Sequence, residues 1–216
     1  MMSDFSVGFF TTNENKDKVY PYLIKNDLFI QFNEAWVGKL SIMDWDLQPQ
    51  PQNLALSKEV PLLYVMHAED HGFSLKILHE EAVKFSFDIS YEVGEELYTE
   101  IGIGLYGNDW WQDESKRDER HKQIKEEWVK QLEQQGILDE FFSNINLDSL
   151  KVFHLFGIST EKIVEMNNIL SVKNFADDSH GMVYALLDCL GLTFFSFVSY
   201  DYMSRGDDDR FTILNS

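Results

Sequence analysis

The clearest regularity in the chain is a strict alternation of apolar and polar side chains over the eleven positions Val83–Val93. Val83, Phe85, Phe87, Ile89, Tyr91 and Val93 fall on one side, and Lys84, Ser86, Asp88, Ser90 and Glu92 on the other. Successive side chains of a strand point to opposite faces of a sheet, so the pattern predicts a strand with one buried and one wet face. Just upstream, Phe73, Leu75 and Ile77 alternate with Ser74 and Lys76, and Leu62–Met66 forms another short apolar run. His79-Glu80-Glu81 reads as a hairpin turn, and Ala68–Gly72 as the connection before it. Residues 61–93 are therefore expected to form a three-stranded antiparallel meander. Phe5–Thr11, Asp27–Phe32 and Trp36–Met43 are also strand-like. Asn15–Ile24 suits a short helix limited by Pro21, and Gln48–Asn53 a polar, proline-bearing loop. Helix is expected over Glu95–Ile101, and Gly102–Asn108 is expected to break regular structure.

After residue 108 the period changes. Asp113–Gln135 is rich in Glu, Lys, Gln and Arg, and Ile124, Trp128, Val129 and Leu132 share one helical face. That predicts a long amphipathic helix ended by Gly136. Leu138–Ile145 and Asp148–Phe156 read as short helices. Ser159 or Thr160 can cap a helix running to Leu170, with Ile163, Val164, Met166, Ile169 and Leu170 as its apolar face. Asp177, Asp178 or Ser179 can cap Gly181–Leu190, which is apolar nearly all round and so is expected to be buried, with Gly191 as its stop. Leu192–Met203 is aromatic and β-branched and predicts a final strand inside the sheet. The fold class is therefore α+β: an antiparallel sheet in the N-terminal half and a mainly helical C-terminal half with a returning final strand. The division falls at 1–108 and 109–216, with the returning strand tying both parts into one core.

Charge narrows the partners. The 216 residues carry 37 acidic and 18 basic side chains, a net of −19. The excess is spread over both halves, and the first half contains no Arg. A field of this sign repels nucleic acid and anionic membranes and favours basic partners, and the missing Arg removes the usual residue for bidentate phosphate recognition. With 44% hydrophobic and 14% aromatic residues, the chain is expected to fold rather than to act as an acidic disordered segment. The single cysteine, Cys189, excludes an internal disulfide and reads as a small core residue. Met1–Phe5 lacks the pattern of a secretory signal, and the most apolar stretch, Met182–Val198, is interrupted by Asp188, Gly191 and Thr193. A cytoplasmic location and no membrane partner are the expectation.

Candidate chemistry is sparse. His67 and His71 stand four apart with Glu69 and Asp70 between them, a metal-ligand spacing on a helix. Here they fall at a strand end and a turn, so they are weak metal candidates, and no cofactor is implied. His71 and His79 are expected at opposite ends of the meander. Gly102-Ile-Gly-Leu-Tyr-Gly107 has the spacing of a phosphate loop but lacks its βαβ setting, and it reads as a connector between the halves. Asp207–Asp209 lacks the alternating ligands of a calcium loop. No nucleophile elbow is present, and no motif fixes a reaction. Two tryptophan–acid clusters stand out: Asp44-Trp45-Asp46 and Asp109-Trp110-Trp111. Indoles flanked by carboxylates suit the Lys or Arg side chains of a partner.

These features favour a non-enzymatic, acidic, protein-binding module of bacterial-type cytosolic character. One concrete form is an inhibitor or immunity-type protein that masks a basic toxin or nuclease. The alternative is a metal-dependent enzyme or small-ligand binder centred near His67 and His71. A third is an oligomer that buries aromatic surface against itself.

Overall fold

The computed structural model describes residues 5–24, 27–40, 51–68, 71–112, 114–193, 195, 200, 203 and 210–215. The elements follow in the order β1 (Phe5–Thr12), α1 (Lys16–Val19), β2 (Leu28–Gln31), β3 (Trp36–Leu40), α2 (Pro51–Leu56), β4 (Leu62–Ala68), β5 (Gly72–His79) and β6 (Ala82–Ser90). The helical half then runs α3 (Tyr91–Tyr106), α4 (Arg117–Gln134), α5 (Ile137–Phe142), α6 (Leu147–Leu150), α7 (Thr160–Ile169), α8 (Val172–Asp177) and α9 (Ser179–Cys189). A two-residue strand, β7 (Thr212–Ile213), returns to the sheet. The sheet has seven strands in the order β6-β5-β4-β1-β3-β2-β7, and the ladders are antiparallel. This is the expected α+β class.

The alternation along each strand sorts the sheet into two apolar faces. Phe10, Ile30, Leu63, Val65, Phe73, Leu75, Ile77, Phe85, Phe87 and Ile89 join the core beneath the helices. Phe9, Phe29, Val37, Leu62, Tyr64, Met66 and Leu78 form a smaller core on the other face, covered by Val19 of α1 and Leu56 of α2. Each of these side chains, fully buried, contributes about 1.5–3 kcal/mol of transfer free energy. The helices dock through aromatic pairs. Phe85 meets Phe153 at 5.4 Å between centroids, Phe87 meets Phe142 at 5.8 Å, and Trp36 meets Phe156 at 5.4 Å. Trp36 also donates its indole N–H to the Leu190 carbonyl at 2.9 Å, fastening the end of α9 to β3.

The meander forms as its alternation predicts, with three departures. A bulge at Ile77/Leu78 sets Leu78 opposite Val83 and Ile77 opposite Phe85, and Val83 is exposed. The strand stops at Ser90, which pairs with Gly72, the first residue of β5. Beyond it no partner strand continues among the described residues, the Tyr91 N–H turns to the His71 carbonyl at 3.0 Å, and the chain enters α3. The turn at Glu80–Glu81 places both residues at positive φ, 53° and 58°, a region that suits Asn and Gly better than Glu. Ser57 holds the turn: its carbonyl accepts from Glu80 N (2.8 Å) and its hydroxyl from Glu81 N (3.1 Å).

Other expectations need correction. Residues 102–106 do not break the chain but complete the last turns of α3. The expected loop at 48–53 becomes helix from Pro51, a residue suited to a first helical turn. The described residues of 192–203 are not strand: Phe195 lies in a 3-10 turn, and Tyr200 and Met203 are helical. An apolar run with no polar face fits a buried helix as well as an interior strand. Phe195 and Met203 are still core residues, and Phe195 packs edge-on against Phe10 at 5.3 Å. The returning strand is β7 instead. In α9, Tyr184, Ala185 and Asp188 are exposed, so that helix has an outer side, and Val164 of α7 is also exposed. The long-helix stripe holds, with Ile124, Trp128 and Leu132 buried, and Ser159 and Asp178 act as the expected caps. Strand residues 41–43, loop residues 48–50 and the Asp207–Asp209 run lie outside the described residues. Among the described residues, no helix is long and apolar enough to cross a membrane.

One buried ion pair stands in the smaller core. Lys39, opposite both Phe9 and Phe29 in its neighbouring strands, extends its Nζ to within 2.9 Å of Asp27 Oδ2, with side chains 2% and 3% exposed. The same carboxylate oxygen accepts the Ile24 N–H at 3.0 Å.

Candidate functional site

Helix α3 carries the most one-sided charge of the described helices: Glu92, Glu95, Glu96 and Glu100, with no Lys or Arg. Its inward stripe, Gly94, Leu97 and Ile101, packs toward α4 and the sheet. Two glycines let indoles settle on it. Trp128 of α4 lies across Gly94 and donates its N–H to the Gly94 carbonyl at 2.7 Å. Trp110 lies across Gly102, where a Cβ would sit 2.6 Å from Trp110 Cε2. Of the glycines whose spacing resembles a phosphate loop, Gly102 is thus a packing position inside a helix, and Gly107, at φ 84°, follows the last residue of α3.

A depression flanks α3 on each side. Toward the C-terminal half of α3, a groove of about 610 Å³ runs between α3 and α4. Ile101, Gly104 and Leu105 line it with Glu100, Glu126 and Glu127, against a single cation, Lys130. Leu105 is 52% exposed, and a Cβ at Gly104 would meet nothing within 4 Å. Past the end of α3, Trp111 is 59% exposed.

Toward the N-terminal half, a cleft of about 440 Å³ lies between α3, α4 and the junction of α8 with α9. Tyr91, Tyr98, Trp128 and His180 wall it, and Glu95, Asp177, Asp178 and Lys125 supply its charges. His180 stacks on Tyr91 at 4.0 Å between centroids. Tyr91 is 3% exposed and its hydroxyl has no hydrogen-bond partner among the described residues. Burial, then the neighbouring Tyr184 and Asp178, hold that phenol well above its ordinary range, so it stays protonated. His67 stands next to Tyr91, ring centroids 6.2 Å apart, with its Nε2 unpartnered among the described residues. Burial and then the charge of His180 lower its pKa to about 4, so His67 is neutral at pH 7.

The expected site residues are dispersed. His67 is buried among Phe73, Tyr91 and Tyr184, whereas His71 is exposed in the turn beyond β4 and pairs with Glu92. Among the described residues, no three of His, Cys, Asp and Glu are grouped to hold a metal. Of the second tryptophan–acid cluster, Asp109 and Trp111 are exposed, but Trp110 is core. It packs 5.3 Å from the His121 ring, and its carbonyl accepts from Arg120 Nη1 at 2.8 Å. Asp44, Trp45 and Asp46 lie outside the described residues. Cys189 is buried, and desolvation raises its thiol pKa. Tyr91, Asp178 and His180 are absent from the expected set because no local spacing joins the end of a meander strand to a helix start far along the chain.

Comparison with protein-family models, with curated proteins and with solved structures finds no match for the chain.

Proposed function

We propose that the protein is an acidic, non-enzymatic binding module whose α3 face receives a basic protein. The observation that carries this reading is the α3–α4 groove: Leu105, half exposed, sits among Glu100, Glu126 and Glu127, with the exposed Trp111 beyond the end of the helix. Exposed apolar side chains rimmed by one sign of charge suit a partner that brings an apolar anchor flanked by Lys or Arg. The net charge of −19 would steer such a partner and repel nucleic acid and anionic membranes. A cytosolic inhibitor or immunity-type protein of bacterial character, masking a basic toxin or nuclease, is the concrete form of this reading. Asp109 belongs to the proposed surface with Trp111; Trp110 serves it only by supporting the turn.

The test is capture of a partner by the tagged protein, with elution in rising salt, beside a Glu100→Lys/Glu126→Lys variant and a Trp111→Ala variant. The expected result is a basic partner that the double variant fails to retain, that Trp111→Ala holds more weakly, and that salt releases as screening shortens to about 10 Å at 0.1 M. A partner retained by both variants at the same salt as the parent would overturn the assignment of this face.

A further inference from the structure

The cleft on the other flank of α3 has the chemistry of a small-ligand site. Three carboxylates line it, Glu95, Asp177 and Asp178, against one ammonium, Lys125, which is tied to Asp177 at 2.9 Å. An anion is therefore disfavoured there. Asp178 accepts the Gly181 N–H at 2.8 Å through Oδ1 while capping α9, which fixes its carboxylate at the rim. The walls are aromatic, and rings beside carboxylates attract cations through the ring quadrupole as well as by charge. An independent observation comes from Tyr91, which lines the cleft and keeps a buried hydroxyl with no partner among the described residues. Buried polar groups are normally paired, so an open hydroxyl on a residue that lines a cavity is a candidate partner for a ligand's polar group. His67, whose Nε2 is likewise unpartnered among the described residues, lies beside it.

We propose that this cleft binds an organic cation, a primary ammonium or guanidinium group, carried either by a free amine or by a lysine or arginine of a polypeptide. Glu95 and Asp178 meet its charge, the rings of Tyr98, Trp128 and His180 cover its flanks, and Tyr91 accepts one of its N–H donors. The site does not depend on the α3–α4 groove. Trp111→Ala leaves it unchanged, so the two readings fail separately.

The experiment is calorimetric titration of the full chain with butylammonium, butylguanidinium, the neutral butylurea and an acetylated, amidated Gly-Arg-Gly peptide. Each is repeated on Asp178→Asn, where Asn caps a helix as well as Asp does, and on Tyr91→Phe, which keeps the ring. Saturable binding of a cation but not of butylurea, weakened about tenfold or more by each variant, is the expected result. Binding of the free cations identifies a small-molecule ligand, and binding of the peptide alone identifies a partner's side chain. Equal binding of butylurea, affinities unchanged in the variants, or no saturation by cation or peptide would overturn the proposal. A urea midpoint for Tyr91→Phe at or above that of the parent is also expected, and a lower one would mean that the hydroxyl is already partnered in the folded protein.

Discussion

Replacing Asp27 by Asn tests whether the Lys39–Asp27 pair is an interior ion pair in energetic terms as well as in position. Asn keeps the shape and an oxygen able to accept the Ile24 N–H, so the substitution removes mainly the charge. Lys39 is left 2% exposed without its counter-ion, in a face built from Phe9, Phe29 and Val37. Removing one member of a buried pair costs about 3–5 kcal/mol, against about 0–1 kcal/mol for a pair in water. A domain is stable by about 5–15 kcal/mol in total, so this one atom exchange takes a large share of it. Urea unfolding followed by tryptophan fluorescence and circular dichroism reads the change as a lower midpoint at constant slope. Lys39→Met together with Asp27→Asn is expected to recover most of the loss, since the stranded charge has gone. A loss below about 1 kcal/mol for Asp27→Asn alone, with the slope unchanged, would refute the reasoning and give the pair the weight of a surface contact.

Three further outcomes follow from particular residues. Gly102→Ala drives a methyl into the Trp110 indole and is expected to cost about 1–3 kcal/mol, whereas Gly104→Ala meets nothing and gains up to about 1 kcal/mol of helix propensity; paired thermal melts compare them. His67 has an ordinary pKa of 6.5 but about 4 when folded. Between those values the unfolded chain binds the extra proton, so stability falls as pH drops through 6.5 toward 4. At about pH 5 the loss from this group is about 2 kcal/mol, and urea midpoints at pH 7.5 and pH 5 should show that excess in the parent over His67→Phe. Glu81→Gly relieves a positive-φ position in the β5–β6 turn and is expected to raise stability by about 1 kcal/mol in the same denaturation assay.

The meander was legible because polar residues alternate with apolar ones at Ser74 and Lys76 of β5 and at Lys84, Ser86 and Asp88 of β6, although β4 is buried along its whole length. The α4 stripe and the Ser159 and Asp178 caps were legible for the same reason: the signal is local. Gly102 was not, since glycine spacing reads as a break until Trp110, the indole that needs the gap, is seen lying across the helix. The run 192–203 carried no periodicity to choose between strand and helix. The two flanks of α3 were the least legible. Tyr91 belongs by pattern to a strand and His180 to a helix cap, and only the end of β5 at Gly72, which turns the chain into α3, brings them face to face.

The C-terminal strand has a consequence for how the chain reaches this fold. Besides the β7–β2 ladder, the Asn215 side chain accepts the Phe29 N–H across a separation of 186 residues and donates to the Asp27 carbonyl. Contacts of such long range form late, after the local hairpins have closed. Until they do, the outer side of β2 is an unpaired edge able to accept a strand from another molecule. Refolding yield is therefore a race between one chain's own tail and its neighbours, and dilution favours the tail.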